Sequence, residues 1–222
     1  MSIIETIIFD MDGVIIDSEP IHMMIERELF NEFGLKVSEK EHQSYVGASS
    51  NQLWSAMVKK ESLNISPQKL SDLKDKRYLE YLKKVKLLNP MAGVKEVIEQ
   101  LHKAKMGLAI ASSASRIEIE YILKKLELRS YFTCMVSGAE LERSKPDPEI
   151  FLRVSSLIKT SPEKCCVVED SRNGVLAAKS AGMKCIGFKN PNSGNQDLSR
   201  SDVILDSFNI EKFEKIIRDF SH

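Results

Sequence analysis

The sequence predicts an α/β fold, a doubly wound parallel sheet interrupted by an all-helical insertion, and three observations carry that prediction. Short β-branched runs alternate with helix-period segments over most of the chain, the pattern of βα units around a parallel sheet. Residues 17–87, by contrast, carry a helical pattern only. Polar and acidic residues gather directly after three of the runs, at the strand ends where parallel sheets bind ligands.

The runs read as strands are 6–9, 108–111, 134–136, 165–168 and 185–187, with 203–205 as a candidate short sixth. Helix starts are announced between them. Ser115 with Glu118 forms a capping box, Asp147 precedes Pro148 at a first helical position, and Asp170 or Ser171 caps an Ala-rich stretch. Gly107 and Gly182 read as helix stops. In the long segment, a helix over 20–33 is closed by Gly34, and another is opened by Ser66 and Pro67 and runs to about residue 84. A single crossover does not need so many residues, so 17–87 is expected to form a domain of its own, with 1–16 and 88–222 making the sheet domain.

Composition narrows the class. At 222 residues, 42% hydrophobic and 29% charged, the chain is expected to be globular with a sizeable core. Lys plus Arg equals Asp plus Glu at 32 each, and no basic block carries stacking aromatics, so a nucleic-acid partner is not expected. The insertion holds 12 Lys and Arg against 11 Asp and Glu, which is not a basic membrane-binding surface. Cys134, Cys165, Cys166 and Cys185 sit in apolar runs without paired CxxC spacing and read as reduced, buried thiols. Neither a signal peptide nor a membrane span is legible at the N-terminus, so the expected compartment is the cytoplasm. No exposed heptad or apolar seam stands out, and a monomer is expected.

Four clusters carry chemistry. Asp10 and Asp12, in Asp10-Met11-Asp12-Gly13-Val14, follow the first strand, and Gly13 lets the backbone turn sharply. Two carboxylates so close repel unless a cation lies between them or one takes a proton, and a hard, oxygen-seeking ion, Mg²⁺ first, meets that need. The same fragment would also serve as a turn whose Asp caps a helix. Ser112, Ser113, Ser115 and Arg116 follow the second strand and offer hydroxyls and backbone N–H groups to an anion, although Ser115 is equally explained by capping. Lys145 is held between Ser144 and the prolines 146 and 148, a rigid setting for a charge that must reach one place. Glu169 and Asp170 follow the buried run 165–168, and Asp170 would also serve as an N-cap. Together these groups make a complete phosphoryl-transfer site: a carboxylate nucleophile, a second carboxylate, a phosphate grip, a lysine and metal-binding acids.

In that order and combination the clusters resemble the four motifs of the haloacid dehalogenase superfamily, in particular its β-phosphoglucomutase-like and sugar-phosphate-phosphatase branch, over essentially the whole chain. The resemblance implies a Rossmann-like core in which Asp10 attacks phosphorus to form an aspartyl-phosphate. Asp12 would protonate the leaving group and then deprotonate water. Mg²⁺ would be held by Asp10, by the backbone carbonyl of Asp12 and by Asp170, with Glu169 supporting its water shell. Ser112 and Lys145 would hold the transferring group, and Ser113 and Arg116 would assist in substrate binding. The insertion resembles the family's helical cap, where His22 and Lys74 align with substrate-binding positions. Ser50 stands where the mutase has an arginine that grips the sugar's second phosphate.

The resemblance points to a phosphatase acting on small phosphorylated metabolites, with a β-phosphoglucomutase as the alternative. Dehalogenases and phosphonatases of the superfamily lack the second aspartate of the first motif, which is present here as Asp12. A signalling receiver domain shares the acids, hydroxyl, lysine and Mg²⁺, but its phosphorylated residue follows a middle strand and it has no such insertion. A binding protein that kept the fold without catalysis would be expected to lose a charged motif, and none is missing.

Overall fold

The structure is a computed structural model that describes residues 3–46 and 50–221. Its contacts divide the chain into two compact units, one formed by residues 1–17 and 89–222 and the other by residues 18–88. The first is an α/β unit and the second is all-helical.

Among the described residues of the α/β unit, six strands form one parallel sheet. They are β1 (Thr6–Phe9), β2 (Gly107–Ser112), β3 (Cys134–Ser137), β4 (Cys165–Glu169), β5 (Lys184–Phe188) and β6 (Val203–Leu205). Their order is β3-β2-β1-β4-β5-β6, so the chain winds outward from β1 through β3 and then returns to β1's other side. The strand order therefore reverses between β1 and β4, where a doubly wound sheet opens its ligand crevice.

Alternation along β1 shows how both faces are covered. Ile8 joins a buried cluster with Ala109, Ala111, Val167 and, from helices α7 (Glu149–Ile158) and α8 (Arg172–Ser180), Phe151 and Val175. Phe9, one residue on, stacks on Phe213 of α9 (Ile210–Phe220) at a centroid distance of 6.5 Å and meets Phe132 edge-on at 6.1 Å. Successive side chains of a strand point to opposite faces, so helices lie on both sides of the sheet. With neighbours on both faces, the strands read as continuous apolar runs, and β1 and β4 are buried throughout. Cys165, Cys166 and Cys185 are buried free thiols as expected, and Cys134 is half-buried.

Caps explain most helix ends. α6 (Arg116–Lys125) has the full capping box, with the Ser115 side chain accepting from Glu118 N and Glu118 accepting from Ser115 N. Of the two proposed caps for α8, Ser171 is the one used, accepting from Gly174 N at 3.0 Å, which releases Asp170 for another role. Gly182 ends that helix at φ +76°. Two expectations shift. Pro148 is the N-cap residue of α7, one position before its first turn, and Asp147 Oδ1 accepts from Glu149 N at 3.0 Å. Gly107 is not a helix stop: helix α5 (Val94–Lys103) ends earlier, Lys105 takes the left-handed conformation at φ +59°, and Gly107 opens β2. A Cβ on Gly107 would lie 2.6 Å from Thr6 Oγ1, so close strand contact explains this glycine.

In the helical unit, α1 (Glu19–Glu32) carries Pro20 in its first turn, and Gly34 follows it at φ +66°. α2 (Glu39–Gln43) and α3 (Ser50–Glu61) precede α4 (Pro67–Lys84), whose N-cap Ser66 accepts from Lys69 N. Phe30 meets Trp54 edge-on at 5.5 Å and His42 at 4.8 Å, and both His42 and Trp54 are buried. No helix of the described residues is long and apolar enough to cross a membrane.

Candidate active site

Asp10 is the first residue beyond β1, and its N–H donates to Val168 O at 2.9 Å, extending the β1/β4 ladder by one step. Glu169 is the last residue of β4 and Asp170 follows it. The site therefore sits at the switch point, on two adjacent strand ends. Carboxylate oxygens of Asp10, Glu169 and Asp170 come within 4.8 Å of one another, and all three residues are buried.

Lys145 reaches this cluster from the loop before α7. Its ammonium donates to Asp10 Oδ1 at 2.6 Å, to Glu169 Oε1 at 2.6 Å and to Ala111 O at 3.1 Å. The side chain is 7% exposed, so these bonds operate away from bulk solvent, where charge-assisted pairs are strongest. Glu169 is held at its other end too: Oε2 accepts from Ser171 N at 3.0 Å and from Ser171 Oγ at 2.9 Å. Asp170 Oδ2 accepts from Ser193 Oγ.

Gly13, at φ +76°, turns the chain away beneath Asp170. A Cβ there would lie 1.8 Å from Asp170 Oδ2, so the position must be glycine on both conformational and steric grounds. Met11 O then accepts from Ile15 N and Ile16 N, winding the segment that contains Asp12. Ser112, fully buried at the end of β2, lies 3.5 Å through Oγ from Asp12 Oδ2 and accepts from Ala114 N at 3.0 Å. Asp10, Lys145 and Glu169 are thus joined by hydrogen bonds with Asp170 beside them, and Asp12 and Ser112 form a separate contact.

The remaining predicted residues are exposed, have other partners or belong to the other unit. Ser113 is exposed on the loop after β2. Arg116 forms a two-pronged pair with Glu140, at 2.8 Å for each bond. His22 and Lys74 belong to the helical unit. The His22 ring packs on Tyr78 at 4.2 Å, and the buried Lys74 ammonium donates to Ser50 Oγ at 3.2 Å.

A model of the haloacid dehalogenase-like hydrolase family matches residues 7–188. The chain belongs to that family. Among relatives of this hydrolase, a phosphorylated carbohydrates phosphatase of Thermotoga maritima is 37% identical over 186 residues, covering 82% of this chain and 83% of that protein. A β-phosphoglucomutase of Bacillus subtilis is 26% identical over 188 residues, covering 82% of each. The crystal structure of a β-phosphoglucomutase from Clostridium difficile has the same fold, with a TM-score of 0.82 at 24% identity over 98% of this chain and 97% of that one.

Burial and mutual repulsion act together on this buried acidic cluster, whose oxygens are close enough to hold a metal ion. Burial pushes the Asp10 carboxyl well above the usual carboxylate range; Lys145 opposes this, while Glu169, Asp170 and Asp12 add to it. Burial, then Glu169, pushes Asp170 up to about 8 against the pull of Ser193 and Lys145. Burial disfavours the Lys145 ammonium, but Asp10 and Glu169 outweigh it and raise its pKa. With all three carboxylates ionised beside one ammonium the cluster would carry two negative charges, which a divalent cation would cancel in place of the protons. The donor set is all oxygen, which suits Mg²⁺. Among the described residues, the oxygens of this cluster left without a hydrogen-bond donor are Asp10 Oδ2 and Asp170 Oδ1; both oxygens of Glu169 are engaged.

Sequence reasoning missed Ser193, Asn190 and Gly174. The first two lie in Asn190-Pro191-Asn192-Ser193-Gly194, whose turn-rich composition was a signal for a loop at the end of β5. Gly174 is the third residue of α8, where a Cβ would lie 1.8 Å from Glu169 Cδ. None of the three has a local sequence signal for its contact, because each depends on groups that folding brings into place.

Proposed function

We propose that this hydrolase is a Mg²⁺-dependent phosphatase of small phosphorylated metabolites, sugar phosphates first, acting through an aspartyl-phosphate on Asp10. The observation that carries the reading is the buried Asp10–Lys145–Glu169 bridge beside Asp170, with its deficit of positive charge. An anionic nucleophile approaches a phosphate dianion only where such charges are neutralised. Mg²⁺, when bound by Asp10, Asp170 and the Asp12 carbonyl, with Glu169 supporting its water shell, supplies that neutralisation.

Asp10 attacks phosphorus as the bond to the leaving oxygen breaks, and Asp12 gives that oxygen a proton. Water then attacks the aspartyl-phosphate, Asp12 takes the water's proton, and inorganic phosphate departs with Asp10 restored. Ser112 and Lys145 hold the phosphoryl oxygens through both steps, with Ser113 N–H and hydroxyl groups adjoining. Asp12 separates this reading from dehalogenation, which needs no such acid. The helical unit, with His22 and Lys74, selects the leaving group. The names of the Thermotoga and Bacillus relatives support phosphorylated carbohydrates as the substrate class.

The test is phosphate release from a panel of phosphorylated sugars, nucleotides, phosphoglycolate and pyrophosphate, with Mg²⁺ or with excess chelator. Release is expected with Mg²⁺ alone, led by sugar phosphates, and Asp10→Asn should reduce it to background. Near-parental release by Asp10→Asn would show that the nucleophile is misassigned, and full activity in chelator would remove the metal from the mechanism.

A further inference from the structure

Beyond β5 the chain folds into a turn over residues 190–193 whose side chains reach back to two of the motifs. Ser193 N donates to Asn190 O at 3.2 Å and Asn192 N to Asn190 Oδ1 at 2.9 Å, so the turn is closed by its own bonds. From it, Asn190 Nδ2 donates to Gly13 O at 3.3 Å and to Asp17 Oδ1 at 3.4 Å. Asn192 Nδ2 donates to Asp17 Oδ2 at 2.6 Å. Ser193 donates its hydroxyl to Asp170 Oδ2.

Asn190 and Ser193 are 4% and 7% exposed, so water competes poorly for these bonds. The contact is also tight. A Cβ on Gly13 would lie 1.8 Å from Asp170 Oδ2 and 3.0 Å from Ser193 Oγ, which puts the carboxylate between the Gly13 backbone and the Ser193 hydroxyl. Rotation of an Asp carboxylate about its last torsion is soft, so a donor on one oxygen decides where the other points. Ser193 occupies Oδ2, and among the described residues Oδ1 receives no hydrogen bond.

We propose that Ser193 is a positioning residue for the cation site: its hydroxyl fixes the Asp170 carboxylate so that Oδ1 faces a divalent ion. The inference rests on the Mg²⁺ reading above and adds a residue to it. Partners that orient metal ligands typically change metal affinity 10–100-fold when removed.

The experiment uses the full chain and Mn²⁺ as the probe, with free Mn²⁺ measured by electron paramagnetic resonance in the absence of substrate. Ser193→Ala is expected to weaken Mn²⁺ binding by about 10–100-fold. Ser193→Cys, similar in size but a poor donor, should weaken it as Ala does, whereas Ser193→Thr, which keeps a hydroxyl, should restore most of the affinity. In turnover assays the Ala variant should need more Mg²⁺ yet approach the parental kcat at saturation. Folded Ala or Cys variants that bind Mn²⁺ within about twofold of the parent overturn the proposal. So does failure of both to fold while Ser193→Thr folds, which assigns the hydroxyl to the fold. Asp170→Asn separates the two levels. If it binds Mn²⁺ as the parent does, or if the parent binds none, the metal reading falls and the Ser193 proposal with it; if it loses binding while the Ser193 variants keep theirs, only the proposal falls.

Discussion

Lys145 is paired with Asp10 and Glu169 while Asp170 lies buried beside them, and this burial with too few positive charges shapes how the metal-free protein should respond to pH. Burial, then Glu169, pushes the Asp170 carboxyl from an ordinary 3.8 up to about 8. A raised carboxyl favours the folded state below about pH 4, and that contribution is lost as the pH rises through about 8. A divalent cation replaces the proton. Mg²⁺ is therefore expected to raise the unfolding temperature more at pH 8 than at pH 6, and to release protons on binding at pH 7. Equal thermal shifts at the two pH values would contradict the charge balance described. Asp12 makes a separate prediction. Asp12→Ala should slow alkyl phosphates by about 10²–10⁴-fold and an activated aryl phosphate much less, because only the poor leaving group needs a proton. Equal losses measured for both would remove the acid role. Asp10, Ser112, Lys145, Glu169 and Asp170 were legible in the sequence because each is tied to a strand end or a proline-held loop. Ser193 was not, since its partner lies 23 residues away and only tertiary folding joins them.

The junction of β4 with α8 shows local and tertiary preferences in opposition. Ser171 serves twice: its hydroxyl accepts from Gly174 N to start the helix and donates to Glu169 Oε2. Gly174 lies in the first turn of α8, where intrinsic propensity alone favours Ala by about 0.8–1 kcal/mol. A methyl there would overlap the Glu169 carboxylate at 1.8 Å. Glu169 could yield only by giving up bonds to Lys145 and Ser171, and hydrogen bonds to charged groups are worth roughly 1.5–3 kcal/mol each. Gly174→Ala is thus expected to lower the unfolding temperature and to reduce phosphate release; a higher unfolding temperature on calorimetry would show that propensity wins and the packing is wrong. The elements themselves were largely legible. Buried parallel strands appear as β-branched runs, and Ser66, Ser115 and Ser171 announce their helices by capping. Gly107 misled because a left-handed Lys105 ended α5, a conformation that composition does not signal.

At the scale of the whole molecule, hydrolysis and mutase chemistry make different demands. On the mechanism proposed above both would begin with the same aspartyl-phosphate, so the core motifs do not separate them. A mutase must hold a bisphosphate intermediate while it reorients, which requires a fixed cationic fork for the phosphate that does not react. By the resemblance drawn from the sequence, Ser50 stands where the mutase branch places an arginine for this. Residues 47–49 of that segment lie outside the described residues, but Ser50 begins α3 and accepts a hydrogen bond from Lys74. Two other cations could substitute. Arg77 is paired through one guanidinium nitrogen with Glu32 within the same unit, and Lys76 is exposed and offers only a point charge. Lys74 also lies 3.6 Å from Asp75, which offsets part of its charge. Hydrolysis is therefore the expected outcome when the protein is incubated with β-glucose 1-phosphate, Mg²⁺ and a trace of the bisphosphate. Any sugar phosphate consumed should appear as free phosphate, measured by a coupled colorimetric assay, with glucose 6-phosphate at background by a dehydrogenase-linked assay. Rapid formation of glucose 6-phosphate with little free phosphate would assign the chain to the mutases, and Lys74 with Lys76 would then be the first residues to test as the grip on the second phosphate.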